Sequence, residues 1–284
     1  MEGTQPAVVL DGGGAVGGLF FDCDQDPTVH QKAIIQLSAH AAGSRVDGVR
    51  ISNAWDGIVA QGGTNPGRSI IQNCFLHKIR HIGVSLGTRG SAAYHYVWLS
   101  NVDVWSDDEG IVTHTGFEFG KIDGIAVSSC NAFRCNVGFT LWHQPGMGGT
   151  GASFSNCQVD FAGNAFLVHG AHHLNITGGI FWCHNAALKI QGGGGRVIAA
   201  GAEFKGNGAP AVDVVDGELL ALSGCLLRSD HSSFNQPAVR LAQVSGASIT
   251  GCVINVSQGT PTPIEYPSGA NVALSGNTIT RLSS

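Results

Sequence analysis

A short phrase returns about ten times along the chain: an apolar residue, usually Ser or Thr, then Asn, Gly or Ser, then often Cys. Its copies begin at Ile51, Ile71, Leu99, Val127, Phe154, Ile176, Ile198, Leu222, Ile249 and Leu274, at steps of 20 to 28 residues. Typical copies read Ile71-Gln72-Asn73-Cys74, Leu99-Ser100-Asn101-Val102 and Leu222-Ser223-Gly224-Cys225, and the first reads Ile51-Ser52-Asn53. A period in this range predicts a solenoid, propeller or array. Between copies, apolar and polar residues alternate over short runs broken by Gly or Asn, the two-residue period of strands. Over 154–176 the pattern predicts a strand from Phe154 to Val159 and a turn through Phe161-Ala162-Gly163-Asn164. A strand from Ala165 to Val168 follows, then a turn through His169-Gly170-Ala171-His172 and a run from His173 to Ile176.

Strands this short can build a sandwich or barrel, but neither has a reason to repeat one phrase every coil. A leucine-rich repeat shares the period, yet the Leu-x-x-Leu-x-Leu frame is missing. A parallel β-helix explains the repetition, because each strand pairs with its counterpart one coil along the axis and like positions stack. The expectation is all-β: a single-stranded right-handed parallel β-helix of about ten coils. Residues 1–45 form first coils and leading loops, and 46–284 one continuous main domain. The second phrase position becomes an outward Ser/Thr column and the fourth an inward Cys/Gly/Val column. Asn136, Asn164, Asn185 and Asn207 form a series at the turns, where Asn tolerates left-handed backbone.

Composition supports tight β structure. Charged residues are 12%, about half the usual share, and Gly is 42 of 284. The net charge of −5 without a Lys/Arg run argues against nucleic acid. No apolar stretch is long enough for a membrane helix, and Met1-Glu2-Gly3-Thr4 does not read as a secretory signal. Of the eight cysteines, Cys74, Cys130, Cys157, Cys225 and Cys252 share the fourth phrase position. A column of small buried thiols explains that spacing; disulfides and metal ligation are the competing readings. Asp22-Cys23-Asp24-Gln25-Asp26 alternates like a calcium loop but lacks its Gly and terminal Glu. No cofactor is expected.

The coil pattern and its ladders over residues 46–284 resemble the right-handed parallel β-helix proteins of the pectate-lyase and phage-tailspike type. That resemblance implies a protein that binds or cleaves polysaccharide. It also implies a homotrimer and a location on a virion tail or outside the cell.

The coil from 99 to 126 departs most from its siblings. It replaces the Cys with Val102 and gathers Asp103, Trp105, Asp107, Asp108, Glu109, His114, Glu118 and Asp123. If Leu99, Val102 and Val104 face inward, alternation turns Asp103 and Trp105 outward. Asn131 and Gln158 then extend the Asp103 column, a polar stripe beside an exposed aromatic that suits a sugar. Glycoside hydrolysis needs one protonated and one ionised carboxyl, and crowding Asp103, Asp107 and Asp108 would raise one of their pKa values. These three are the acid/base candidates, with Trp105, Asn131, Arg134, Gln158 and His114 as substrate contacts. Asp107-Asp108 before Gly110-Ile111-Val112 resembles the Asp-Asp of polygalacturonase-like hydrolases, which implies an acid/base role; the companion Gly-His-Gly and Arg-Ile-Lys motifs are absent. A solvated acidic loop and a cation- or glycan-binding loop are the other readings of the same residues. A structural or receptor-binding β-helix without catalysis, and a secreted lyase or epimerase, are the other readings of the chain.

Overall fold

A computed structural model describes residues 6–23, 32–38, 43–60, 68–87, 94–106, 112–120, 122–142, 151–170, 172–229 and 235–282, with backbone alone at 94 and 95. Among these, every helix or strand is a strand, and the strands pair in parallel. A first sheet of eleven strands runs from Val8–Leu10 to Ile264–Glu265. A second runs from Ala15–Gly17 to Val272–Ser275, and a third from Phe20–Asp22 to Thr278–Leu282. The long strands Ile70–His77 and Tyr94–Trp105 bend through both the second and third sheets. One pass through the three sheets is one coil, so the chain is the expected parallel β-helix.

The phrase marks a corner. Val16, Val46, Ile71, Leu99, Val127, Phe154, Ile176, Ala199, Leu222, Ile249 and Leu274 form one column of the second sheet. Two residues later the backbone is left-handed in every coil: Gly18, Gly48, Asn73, Asn101, Ser129, Asn156, Gly178, Gly201, Gly224, Gly251 and Gly276, with φ between 51° and 64°. Gly and Asn dominate because they reach this region at least steric cost. The run from Phe154 to Val159 is therefore two strands, Gly151–Ser155 and Gln158–Ala162, folded at Asn156. Alternation alone hides that corner, since apolar residues fall inward on both sides of it.

The register corrects three expectations. Ile51-Ser52-Asn53 lies in the third sheet; the second coil's copy is Val46-Asp47-Gly48-Val49. The confusion has a cause, because Asn53 takes a left-handed φ of 58° at the next corner. The copy read from Ile198 begins at Ala199, and Ile198 points outward, 49% exposed. Finally, Val137 pairs with Asn164, so Asn136 and Asn164 stand in neighbouring columns rather than one. None of Asn136, Asn164, Asn185 and Asn207 has a positive φ; among the described residues the left-handed asparagines are Asn53, Asn73, Asn101 and Asn156.

The interior is a set of apolar columns. Phe117, Phe139 and Phe166 pair in register and stack at 4.9 and 5.1 Å, and Phe154, Phe181 and Phe204 pack against or beyond them. All six rings are buried, and burying each contributes about 1.5–3 kcal/mol. Space for them comes from a column of small residues where the first sheet begins: Gly57, Gly83, Gly116 and Gly138, then Ala165, Ala187, Ala211 and Ala238. A Cβ on Gly138 would sit 2.7 Å from Val159 Cγ2, and one on Gly83 2.6 Å from Val104 Cγ2.

The eight cysteines are free thiols, all buried except half-buried Cys23. Those of the phrase share one contact: Cys74, Cys130, Cys157, Cys225 and Cys252 each point Sγ–H at the carbonyl two residues earlier, at 3.1 to 3.6 Å. Cysteine thus fills a small slot and gives the corner carbonyl a weak donor. Burial pushes the Cys74 and Cys157 thiols up to about 11 and Cys135 up to about 12.

Two outcomes test this packing. A thiol reagent at mildly alkaline pH should modify at most Cys23 in the folded protein and all eight cysteines after unfolding. In denaturant unfolding, Gly138→Ala should destabilise by about 1–3 kcal/mol through overpacking. Gly201→Asn should stay within about 0.5 kcal/mol, whereas Gly201→Val should cost about 1–2 kcal/mol through left-handed strain alone.

Candidate functional site

The third sheet presents two outward columns, separated by one inward column. The first outward column runs Phe20, Arg50, Phe75, Asp103, Asn131, Gln158 and Ile180. The second runs Asp22, Ser52, His77, Trp105, Phe133 and Asp160. Leu99, Val102 and Val104 are buried, which turns Asp103 and Trp105 outward by strand alternation. Asp103, Asn131 and Gln158 thus occupy one column, and Trp105 lies in the column beside it.

The polar part of this surface is tightly bonded. Asn131 Nδ2 donates to Asp103 Oδ1 at 2.6 Å. Cross-coil Asp–Asn contacts recur elsewhere: Asn53 donates to Asp22 at 2.7 Å and Asn73 to Asp47 at 2.9 Å. Asp47 also accepts from Arg45 and Gln72, and these hydrogen bonds, with Asn73 first, hold its carboxyl below the usual range. Asp103 is thus tied to the next coil as Asp22 and Asp47 are, but through its direct register partner, whereas theirs are corner asparagines one residue past the register.

The aromatic part falls in two groups. Trp105 and Phe133 stack at 4.1 Å with planes 14° apart, and Phe161 meets Phe133 edge-on at 5.4 Å. The Arg134 guanidinium lies 5.8 Å from the Phe133 centroid. On the other side, His77 stacks on Phe75, and Arg50 sits between the Phe20 and Phe75 rings at 5.4 and 5.2 Å. Trp105 is 38% exposed and Phe161 54%. Flat rings with flanking cations and amides offer both apolar stacking and hydroxyl contacts.

His114 lies beyond the corner, at the start of the first sheet, with Nδ1 3.2 Å from Thr115 Oγ1. Its ring neighbours His81 at 5.8 Å, and His81 stacks on Trp55 while pairing with Asp56 at 2.8 Å. Asp107, Asp108 and Glu109, and Asp24 to Asp26 of the calcium-like run, lie outside the described residues. Among the described residues no cluster of His, Cys, Asp or Glu is arranged to hold a metal.

Sequence reasoning places Asp103, Asn131, Gln158 and Trp105 on one face but overlooks Phe133, Phe161, Phe75 and Arg50. The signal for them is positional: His77, Trp105, Phe133 and Asp160 each lie six residues after the phrase's first residue in their own coil, and Phe75 and Arg50 lie four after.

No family model and no curated protein matches the sequence. In structure the chain is similar to a polygalacturonase from Erwinia carotovora ssp. carotovora, with a TM-score of 0.52 and 12% identity, covering 98% of this chain and 74% of that one. Tailspike protein 3 of bacteriophage CBA120 superposes more loosely, with a TM-score of 0.43 and 9% identity, covering 94% of this chain and 51% of that one, too loosely to bear on fold or function. At 12% identity the first likeness is one of fold: the chain is a parallel β-helix, as that polygalacturonase is.

Proposed function

We propose that this protein binds and depolymerises a polysaccharide on the outer face of its third sheet. The observation that carries the reading is the Trp105–Phe133 stack beside the Asp103–Asn131–Gln158 column, on a sheet face held rigid by packed interior columns. Sugar rings stack their C–H faces on such aromatics, and the column supplies acceptors and donors for hydroxyls. Asp103, with Asp107 and Asp108 four and five residues further along the sequence, supplies the carboxyls for acid/base chemistry. Arg134, beside the Phe133 ring, and His114, beyond the corner at the start of the first sheet, are the further substrate contacts of this reading. In this reading the chain works as a homotrimer on a phage tail or another extracellular particle, cutting a bacterial surface glycan.

A second reading is favoured by one specific observation. Asp103, like Asp22 and Asp47, is tied by its carboxylate to an asparagine of the next coil. If that is its whole role, the face binds glycan without cleaving it.

Incubation with a panel of capsular and pectic polysaccharides separates the readings. Depolymerisation should yield new reducing ends if the bond is hydrolysed, or ultraviolet-absorbing unsaturated ends if it is eliminated. Asp107→Asn or Asp108→Asn should lower kcat by about 100-fold or more, and Trp105→Ala should raise KM. Binding without any product establishes the second reading. Full activity in both Asn variants contradicts the assigned carboxylates. Sedimentation at the mass of one chain contradicts the trimer.

A further inference from the structure

The aromatic strip does not end at Phe133. In the seventh and eighth coils Trp182 and Lys205 pair in register in the second outward column, after Asp160. Trp182 is 36% exposed. Its Nε1 donates to Glu203 Oε1 at 2.9 Å, and Arg228 Nη1 holds the same oxygen at 3.2 Å. The Lys205 ammonium lies 5.5 Å from the indole. An exposed indole is thus fixed in orientation, with charged hydrogen-bonding groups along its rim.

Between the two tryptophans the backbone is irregular. Val159 pairs with Phe181 and Ala162 with Cys183, so Asp160 and Phe161 together oppose Trp182 alone. Such a bulge re-aims a side chain. Here it turns the Phe161 ring outward, with φ of 52° and its amide held by Asp160 Oδ1 at 2.8 Å. At the same corner other coils place Asn53, Lys78 and Arg134. A bulky aromatic in left-handed backbone is a conformation that the surrounding structure must impose. Phe161 bridges toward Phe133 on one side and His184 on the other.

We propose that Trp182, rimmed by Glu203, Lys205 and Arg228, is a second pyranose-binding subsite, joined to the Trp105–Phe133 platform through the outward-turned Phe161. Trp105 and Trp182 are three coils apart, about 14 Å at the strand spacing, so one glycan chain lies along the helix axis across both. The rim favours a sugar over a lipid or an apolar peptide: a pinned indole edge and three charged groups match hydroxyls and offer little to an aliphatic chain. This inference rests on the glycan reading above and adds to it a chain direction and a length requirement.

The test is binding of di- and octasaccharides from the oligogalacturonide, cello- and manno-series, read by calorimetry. For the series that binds, Trp182→Ala should weaken the octasaccharide about tenfold, equivalent to about 1.4 kcal/mol, and leave the disaccharide within about twofold. Trp105→Ala should weaken both. Phe161→Gly, which keeps the left-handed corner without the ring, should weaken the octasaccharide more than the disaccharide. Trp182→Phe should restore most of the loss and shows that the fold tolerates the position. Octasaccharide binding unchanged in Trp182→Ala overturns the second subsite while leaving the glycan reading standing. Equal loss of di- and octasaccharide also overturns it, since the two platforms are then one site. If no series binds the wild-type protein, the glycan reading falls and the subsite with it.

Discussion

In each coil one residue, from Gly18 to Gly276, holds a left-handed backbone between the second and third sheets. That corner sets the phase of everything after it. It fixes where the third strand starts, which residues of that strand point inward, and how each coil sits on the one before. Because pairing is parallel and in register, a phase error of one residue would turn a whole strand inside out. The corner is also where the phrase cysteines lie, each next to the turn whose earlier carbonyl it contacts. Shape and hydrogen bonding, rather than reactivity, account for five of the eight thiols.

The segment from the phrase to the second outward column is constant in length. The outward residue of the second column stands six positions after the phrase start in coil after coil: Asp22, Ser52, His77, Trp105, Phe133, Asp160, Trp182, Lys205 and Arg228. Coil length varies only after that column. A fixed-length segment stacks its side chains into straight columns, whereas variable connections cannot. This is why the third sheet lines up Asp103, Asn131 and Gln158 in one straight column and Trp105 and Phe133 in the other.

Much of the fold was legible because stacking repeats chemistry. Asp103, Asn131 and Gln158 could be placed in one column by counting between phrases. The failures have the same physical origin as the successes. Ile51-Ser52-Asn53 mimics the phrase because it, too, ends on a left-handed corner asparagine, and Ala199-Ala200-Gly201 hides behind the outward Ile198. The small-residue column from Gly57 to Ala238 carries no local signature, since its requirement comes from Val104 and Val159 across the interior. Phe133 carries no mark of its own in the sequence, and Phe161 reads there as a turn residue. Only register, and at Phe161 a bulge, shows that their rings face out.

The surface so built is ambiguous in one respect that chemistry can separate. A ladder carboxylate such as Asp103 is both a structural tie between coils and a group placed beside an aromatic platform. In the proposed function a sugar chain lies on this face, from Trp105 toward Trp182. A crystal structure of the protein with a bound oligosaccharide should show pyranose rings stacked on Trp105 and Phe133, running parallel to the helix axis. A glycan seated on the outer face of the first or second sheet, with Trp105 uncovered, would contradict it.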